Sequence, residues 1–482
     1  MYLYNTLTKK IEKVDPLEDN AIRIYSCGPT VYYYPHIGNM RSYIDVDILV
    51  KTLKHYGFKV KRVMNITDVG HLVGDAEEGE DKLRKEAEEE NKTVREIADY
   101  YTSIFLRYLD LLNIEKPDIM PRASDHINDI LDAIKILDQK GYAYKIDKGV
   151  YFDTSKINDY GVLIGKSFEE LNRELKAGAR VERPEGIRNI TDFALWRNVK
   201  VKQEMTWDSE YGLGFPGWHI ECSVMSTKYL GKQFDIHTGG VDHIPVHHTN
   251  EIAQSEGLNG VIPAKIWFHV AFLKVENQKM SKSLRNIYTI DDLISRGYNP
   301  LAYRYLVLTS HYRSELNFTF KAMDDAQNTL NNLYATLSLV NWIAHGSYNA
   351  DNKDEKSIED HYKKAIGYLY NDLDTPDALR EMHSIISILN DLTSKKALSS
   401  ELAKTAIRYL LDIDSIFSIG FTQLIDKLNS LYNNDELISL IKERDQLRAS
   451  KRFNEADSIR ESIAKRFNVK LSDTNYGTII AL

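Results

Sequence analysis

The chain has only two cysteines in 482 residues, Cys27 and Cys222. Two thiols 195 positions apart exclude a disulfide-rich scaffold, and a chain this long buries enough apolar surface to need no such staples. They suit a reduced, cytosolic compartment, and the plainest reading makes each a small buried hydrophobe. Positive charge is not in excess. Against 62 Lys and Arg stand 70 Asp and Glu, a net of −8, which excludes a uniformly basic nucleic-acid coat but not a local basic patch. No apolar run approaches the ~18–20 residues of a membrane span. The stretch Met1–Lys10 has no apolar core of the kind a signal peptide carries. Internal repeats and low-complexity tracts are absent. With 43% hydrophobic and 27% charged residues, the composition is that of a soluble, cytoplasmic globular protein. Its length suggests about three domains at ~150 residues each.

What is present begins with Ala21–Ser26 (AIRIYS), rich in β-branched and aromatic residues and read as a buried strand. It runs into the turn-like Cys27-Gly28-Pro29-Thr30. From Ile37 to Tyr56 apolar residues recur at helical intervals until Gly57 stops the pattern, and Lys59–Thr67 reads as a second strand. Strand, turn, helix and strand make a βαβ unit with a parallel sheet, whose ligands bind at the carboxyl ends of its strands. A second such unit starts at Phe234–His237, continues through a helix from about Pro245 to Glu256, and reaches a strand at Ile266–Lys274. The roughly hundred residues between them, with patterns at Tyr151–Asp153, Val162–Gly165 and Phe168–Ala177, read as a domain inserted into a split sheet. The charged run Glu77–Asn91 reads as an exposed helix face. Beyond Asn286 the strand signals fade, and helical spacing dominates, as in Ala365–Leu373, Ala403–Leu411 and Leu437–Ala464. Ile441–Lys470 carries nine basic against five acidic residues. That excess fits either a solvated charged face or a surface that tracks phosphates.

Three constellations carry chemistry. His36-Ile37-Gly38-Asn39 falls at a predicted helix N-terminus, where free backbone N–H groups attract phosphate. His36 and Asn39 share one face of the first turn, and Gly38 lets a flat ligand approach the backbone. The bland alternative is a capped helix with a surface histidine. Lys279-Met280-Ser281-Lys282-Ser283 places two lysines, as point charges, in a loop from which both can reach a polyphosphate. Paired in this order, the two stretches resemble the HIGH and KMSKS signatures of class I aminoacyl-tRNA synthetases. Finally, His247 and Glu251 are four apart on a predicted helix, and with Cys27 and Cys222 they could complete a tetrahedral Zn²⁺ site. On spacing alone an HxxxE pair on a helix is usually an exposed or satisfied pair.

The stretches CGPTVYYYPHIGN (27–39), NITDVG (65–70), WDSEYG (207–212), FPGWHIECSVM (215–225), FDIHTGGVDH (234–243), HHTNEIAQSE (247–256) and KMSKS (279–283) occur in order, with RASKRFNEADSIRESI (448–463) near the end. Together they resemble the cysteinyl-tRNA synthetase family. The resemblance implies an α/β fold. A Rossmann-like parallel-sheet catalytic domain (1–115 and 213–285) would be split by an inserted connective domain (116–212). A stem-contact linker (286–325), an α-helical bundle (326–425) and a small C-terminal anticodon-binding domain (426–482) would follow. It also implies ATP, with Mg²⁺, and L-cysteine as substrates, a cysteine tRNA as partner, and one Zn²⁺ on Cys27, Cys222, His247 and Glu251. His36, Asn39, Lys279 and Lys282 would be catalytic. His36, Gly38, Asn39, Gly239, Gly240, Asp242 and Lys282 would meet ATP, and Cys27, Thr67, Trp218 and His237 would line the cysteine pocket. A thiol-selecting metal would make editing unnecessary, and a monomer is the default.

The chain departs from the family pattern in places. Asn39 stands where His is usual; it can donate a hydrogen bond but carries no charge, and His71 is a conceivable compensating neighbour. Thr249 replaces a frequent Glu without loss of a ligand, and Asn277 lies where glycine is common. The end reads Gly477-Thr478-Ile479-Ile480, without the tryptophan that could stack on an anticodon. Two rival readings are a cysteine–amino-sugar ligase of the mycothiol pathway and an inactive tRNA-binding paralogue. The extended helical, basic C-terminal part argues against the first, and the intact KMSKS and metal-ligand set against the second.

Overall fold

The computed structural model describes residues 1–70, 92–178, 184–280, 284, 286–351 and 353–481. The charged run 77–91 and His71 lie outside the described residues. The chain forms two compact units. One comprises Met1–Lys274, Gln278–Ile290 and Tyr312–Leu316; the other comprises Val275–Asn277, Asp291–His311 and Asn317–Leu482.

The first unit is built on strand β1 (Ala21–Ser26), helix α1 (Ile37–Tyr56) and strand β2 (Lys59–Met64). Ile22, Ile24 and Tyr25 of β1 are buried, as expected of a strand covered on both faces. Helix α1 stops where Gly57 takes the left-handed conformation, φ 108°, and its N–H caps the Leu53 and Lys54 carbonyls. Helix α2 (Val94–Leu111) follows. The inserted segment then supplies helix α3 (Ile127–Gln139) and an antiparallel sheet of β3 (Ala143–Ile146), β4 (Gly149–Phe152), β5 (Phe193–Asn198) and β6 (Gly214–Pro216). That sheet reaches past residue 212, because β6 pairs with β5 through Trp196–Pro216 and Asn198–Gly214. Val162–Gly165 forms a turn.

Helix α4 (Trp218–Leu230), strand β7 (Phe234–Gly240), helix α5 (Thr249–Asn259) and strand β8 (Ala264–Val270) return to the parallel sheet. Its order is β8-β7-β1-β2, with every pairing parallel. Register pairs Ser26 with both Met64 and Thr238, so three carboxyl ends open on one edge. The Pro245–Glu256 helix of the sequence reading is two pieces. A wide π turn at Ile244–His248 precedes α5 and holds both His247 and His248. Such turns recur at functional sites. Beneath the sheet edge, Tyr25, Val63, Cys222, Met225, Phe234 and Trp267 share one apolar cluster.

The second unit is helical: α6 (Pro300–Leu308), α7 (Phe320–His345), α8 (Glu355–Tyr370), α9 (Thr375–Ser394), α10 (Ser400–Phe417), α11 (Phe421–Tyr432), α12 (Asp435–Ala449) and α13 (Phe453–Phe467), closed by the hairpin Lys470–Thr474/Gly477–Ala481. Asp414 organises one turn of it by accepting the backbone N–H groups of Ile419, Phe421 and Thr422. No helix among the described residues is long and apolar enough to cross a membrane.

Candidate active site

A cavity of about 640 Å³ opens at the carboxyl edge of the parallel sheet. Cys27, Gly28, His36, Gly38, Asn39, Trp218, Gly239, Gly240, Asp242 and Lys279 all contribute to its wall. At the start of α1 the backbone N–H of His36 donates to Asn39 Oδ1, and the Asn39 N–H donates to His36 Nδ1, both at 3.1 Å. This reciprocal cap fixes the His36 tautomer. Nδ1 accepts, so the proton resides on Nε2. Burial lowers His36 to about 4, and Asp242 opposes the shift, so the ring is neutral near pH 7. A Cβ on Gly38 would come within 2.2 Å of the Met280 Cε. The glycine therefore lets Met280 sit close over the motif. Asp242 folds back on Gly240, where a Cβ would meet Asp242 Oδ1 at 2.2 Å. Lys279 lies on the short strand Gln278–Lys279, whereas Lys282 lies outside the described residues.

Below this cavity, ligand atoms of Cys27, Cys222, His247 and Glu251 all fall within 4.8 Å of one another. Cys27 directly follows β1, the first turns of α4 bring Cys222, and the π turn into α5 brings His247 and Glu251. Glu251 Oε1 lies 3.0 Å from His247 Nε2 and 3.9 Å from Cys27 Sγ. The other nitrogen of His247, Nδ1, is 2.9 Å from His219 Nδ1. The hydrogen bond from Cys27 pushes the Cys222 thiol down to about 6, although burial opposes it. Burial would raise Glu251, but His237 and His247 hold its carboxylate well below the usual range. Burial would equally lower His247, yet Glu251 and Cys222 raise it to about 10. Two sulfurs, one imidazole and one carboxylate, with a partner on the far side of the imidazole, fit the donor set and outer shell of Zn²⁺.

Two residues expected in the cysteine pocket stand behind its wall. His237 is fully buried, and its Nε2 lies 2.8 Å from Glu251 Oε2. Thr67 is 2% exposed and faces Asn65 and Glu221. Trp218 does line the cavity, and its ring stacks on His247 at 4.3 Å. The sequence reading passed over His219, His248 and His269. His248 Nε2 is 3.2 Å from Cys27 Sγ, and its Nδ1 is 2.8 Å from His269 Nε2. Cys27, His237, His248 and Glu251 form a second set close enough to hold an ion, sharing two members with the first. The available signal was enrichment. Of 14 histidines, those at 219, 237, 243, 247, 248 and 269 all gather here.

Residues 13–328 match the family described as the tRNA synthetases class I (C) catalytic domain. The chain is 41% identical over 495 residues to the cysteine–tRNA ligase of Treponema denticola, covering 98% of this chain and 97% of that one. It is likewise 41% identical over 485 residues to the cysteine–tRNA ligase of Thermococcus gammatolerans, covering 99% and 98%. Among solved structures it resembles the Mycobacterium tuberculosis methionyl-tRNA synthetase bound by methionyl-adenylate. The TM-score is 0.61 at 16% identity, over 85% of this chain and 94% of that one, which speaks to the fold alone. The chain belongs to the cysteine–tRNA ligase family of class I aminoacyl-tRNA synthetases.

Proposed function

We propose that the chain activates L-cysteine with ATP, forming cysteinyl-adenylate and pyrophosphate, and then transfers cysteine to the 3′-terminal ribose of a cysteine tRNA. One observation carries this reading. Cys27 belongs both to the wall of the cavity and to the four-donor cluster, so a thiol entering the cavity meets the cluster.

In the first step a carboxylate oxygen of cysteine attacks the α-phosphorus of Mg²⁺-bound ATP. The new O–P bond forms as the bond to the bridging oxygen breaks, and pyrophosphate departs. Negative charge develops on the phosphoryl oxygens at the N-terminus of α1, where free N–H groups favour it. Neutral His36 donates through Nε2–H, and the Asn39 amide donates through Nδ2. Lys279 and Lys282 balance the charge of the leaving pyrophosphate. One such preorganised donor is worth ~2.7–4 kcal/mol, or ~10²–10³ in rate. Gly239 and Gly240 admit the nucleotide, and Asp242 accepts a ribose hydroxyl. In the second step a ribose hydroxyl of the tRNA attacks the carbonyl carbon and AMP leaves.

Zn²⁺ on Cys27, Cys222, His247 and Glu251 would supply a soft ion that prefers the sulfur of cysteine over the harder oxygen of serine. Trp218 closes the pocket from the side. His237 acts at one remove by orienting Glu251. The segment 441–470, with nine basic against five acidic residues, offers phosphate contacts to the tRNA. Cysteine-dependent ATP–pyrophosphate exchange, selective over serine, tests the first step, and charging of a cysteine tRNA tests the second. No exchange by zinc-loaded protein would overturn the reading.

A further inference from the structure

The residues around Thr67 form a directed chain of hydrogen bonds. The Gly28 N–H donates to Asn65 Oδ1 at 2.9 Å. Asn65 Nδ2 donates to Thr67 Oγ1 at 3.0 Å, and the Thr67 hydroxyl donates to Glu221 Oε2 at 3.2 Å. The direction is set by its first member. A backbone N–H can only donate, so the Asn65 oxygen must face Gly28 and its NH₂ must face Thr67. The Thr67 hydroxyl, accepting from Asn65, donates to the Glu221 carboxyl oxygen.

Asn65, Thr67 and Glu221 are 1%, 2% and 0% exposed, so no water competes for these bonds. Backbone contacts lock the same region. Thr67 N–H donates to the Pro29 carbonyl, and Val31 N–H donates to the Thr67 carbonyl. A Cβ on Gly28 would fall 1.6 Å from the Asn65 carbonyl oxygen, so the two segments are in direct backbone contact.

The termini of this chain matter most. Gly28 directly follows Cys27, and Glu221 directly precedes Cys222. The two sulfurs come from the residue that follows β1 and from α4, nearly two hundred residues apart in sequence. We infer that the Gly28–Asn65–Thr67–Glu221 relay is a positioning device that sets the separation of the two cysteine sulfurs before a metal arrives. It rests on the zinc reading above and assigns new roles to Asn65 and Glu221. Neither donates an atom to the metal set; each holds in place the segment that carries a ligand. Thr67 belongs to the relay rather than to the pocket lining.

The test is zinc affinity, read by competition with a chromophoric chelator, and the visible spectrum of the Co²⁺-substituted protein. Both are measured on the full chain. Thr67→Val keeps the volume but removes the hydroxyl, and Glu221→Gln keeps an acceptor for Thr67 while exchanging the carboxyl group for an amide. Loss of an outer-shell partner costs ~10–100-fold in metal affinity. We expect Thr67→Val to bind zinc in that range more weakly and to shift the Co²⁺ thiolate bands. Thr67→Ser, which restores the hydroxyl, should recover most of the affinity. Melting of the zinc-loaded variants checks that they fold. Parent-like zinc affinity and Co²⁺ spectra in both Thr67→Val and Glu221→Gln would overturn the relay and leave the zinc reading intact. A parent protein that binds no zinc would overturn both.

Discussion

His36 and Asn39 cap one another at the head of α1, each giving its backbone N–H to the other's side chain at 3.1 Å. The bland reading of this motif as a helix cap and the functional reading as a phosphate cradle are therefore compatible. The cap aims His36 Nε2–H away from the helix and leaves the Asn39 NH₂ available to a ligand. Asn39→Ala removes both functions. Exchange should fall ~10²-fold, and stability by ~1 kcal/mol. Asn39→His, restoring the usual family residue, should keep exchange within a few-fold of the parent. Steady-state exchange and thermal melting check both.

The lowered value of His36, about 4, has a pH consequence. Its ordinary value in an unfolded chain is 6.5. Between these values the unfolded chain binds more protons, so lowering the pH from 6.5 to 4 removes stability contributed by this site. Above that window His36 is already neutral. The profile of kcat/KM for ATP should show no rising limb near 6.5 that disappears in His36→Asn. A rising limb near 6.5 that does disappear would mean that His36 titrates at its ordinary value, and a falling one that it works as the imidazolium.

Gly239 tolerates no side chain. A Cβ there would lie 2.6 Å from His248 Cε1 and 2.7 Å from His243 Nδ1. His248 cannot retreat freely, since it is held by Cys27 on one side and His269 on the other. Gly239→Ala should cost ~1–3 kcal/mol, as overpacking of a dense site does. Because His248 touches Cys27, the same change should also raise the KM for cysteine along with that for ATP. Effects confined to ATP would show that the two halves of the site are uncoupled.

The parallel sheet was legible because its strands are short apolar runs between punctuating glycines and prolines. The four metal-set residues followed from motif order. What sequence could not convey was depth. Thr67 and His237 sit within motifs that line a pocket, yet their side chains face Glu221 and Glu251. The same holds for charge at the C-terminal end. Arg444 is fully buried and donates to Asp473 Oδ2 and Thr478 Oγ1, both at 2.8 Å. Arg448 pairs with Asp473, Arg452 with Glu455 and Arg466 with Glu436, while Arg460 donates to the Leu471 carbonyl. Five of the nine basic residues counted there are engaged within the fold, so the count overstated the charge offered to phosphates.

Glu256, on α5, is raised to about 7 by burial and by the neighbouring Asp159 carboxylate. Its ordinary value is 4.5. Between 4.5 and 7 the folded state binds more protons than the unfolded one, so stability falls as pH rises through that window. Glu256→Gln keeps the shape and removes the titration. The variant should melt above the parent at pH 8 and show no such gain at pH 5. An equal gain at both pH values would place the effect in packing rather than in charge.

Cys222→Ser tests whether the buried cluster is a metal site at all. Serine matches the volume but offers a hydroxyl oxygen, a poor ligand that does not ionise at neutral pH. A ligand present at 100 times its Kd stabilises the fold that binds it by ~2.7 kcal/mol. Parent protein should therefore melt at a lower temperature after a chelator strips zinc and recover when zinc is returned. The variant should melt at one temperature in both conditions and carry well below one zinc per chain by elemental analysis. The comparison also separates metal loss from misfolding, because stripped parent and variant should then melt together. Full zinc occupancy in Cys222→Ser would reject Cys222 as a ligand. It would direct attention to Cys27, His237, His248 and Glu251, the second set of donors that the fold gathers around the same carboxylate.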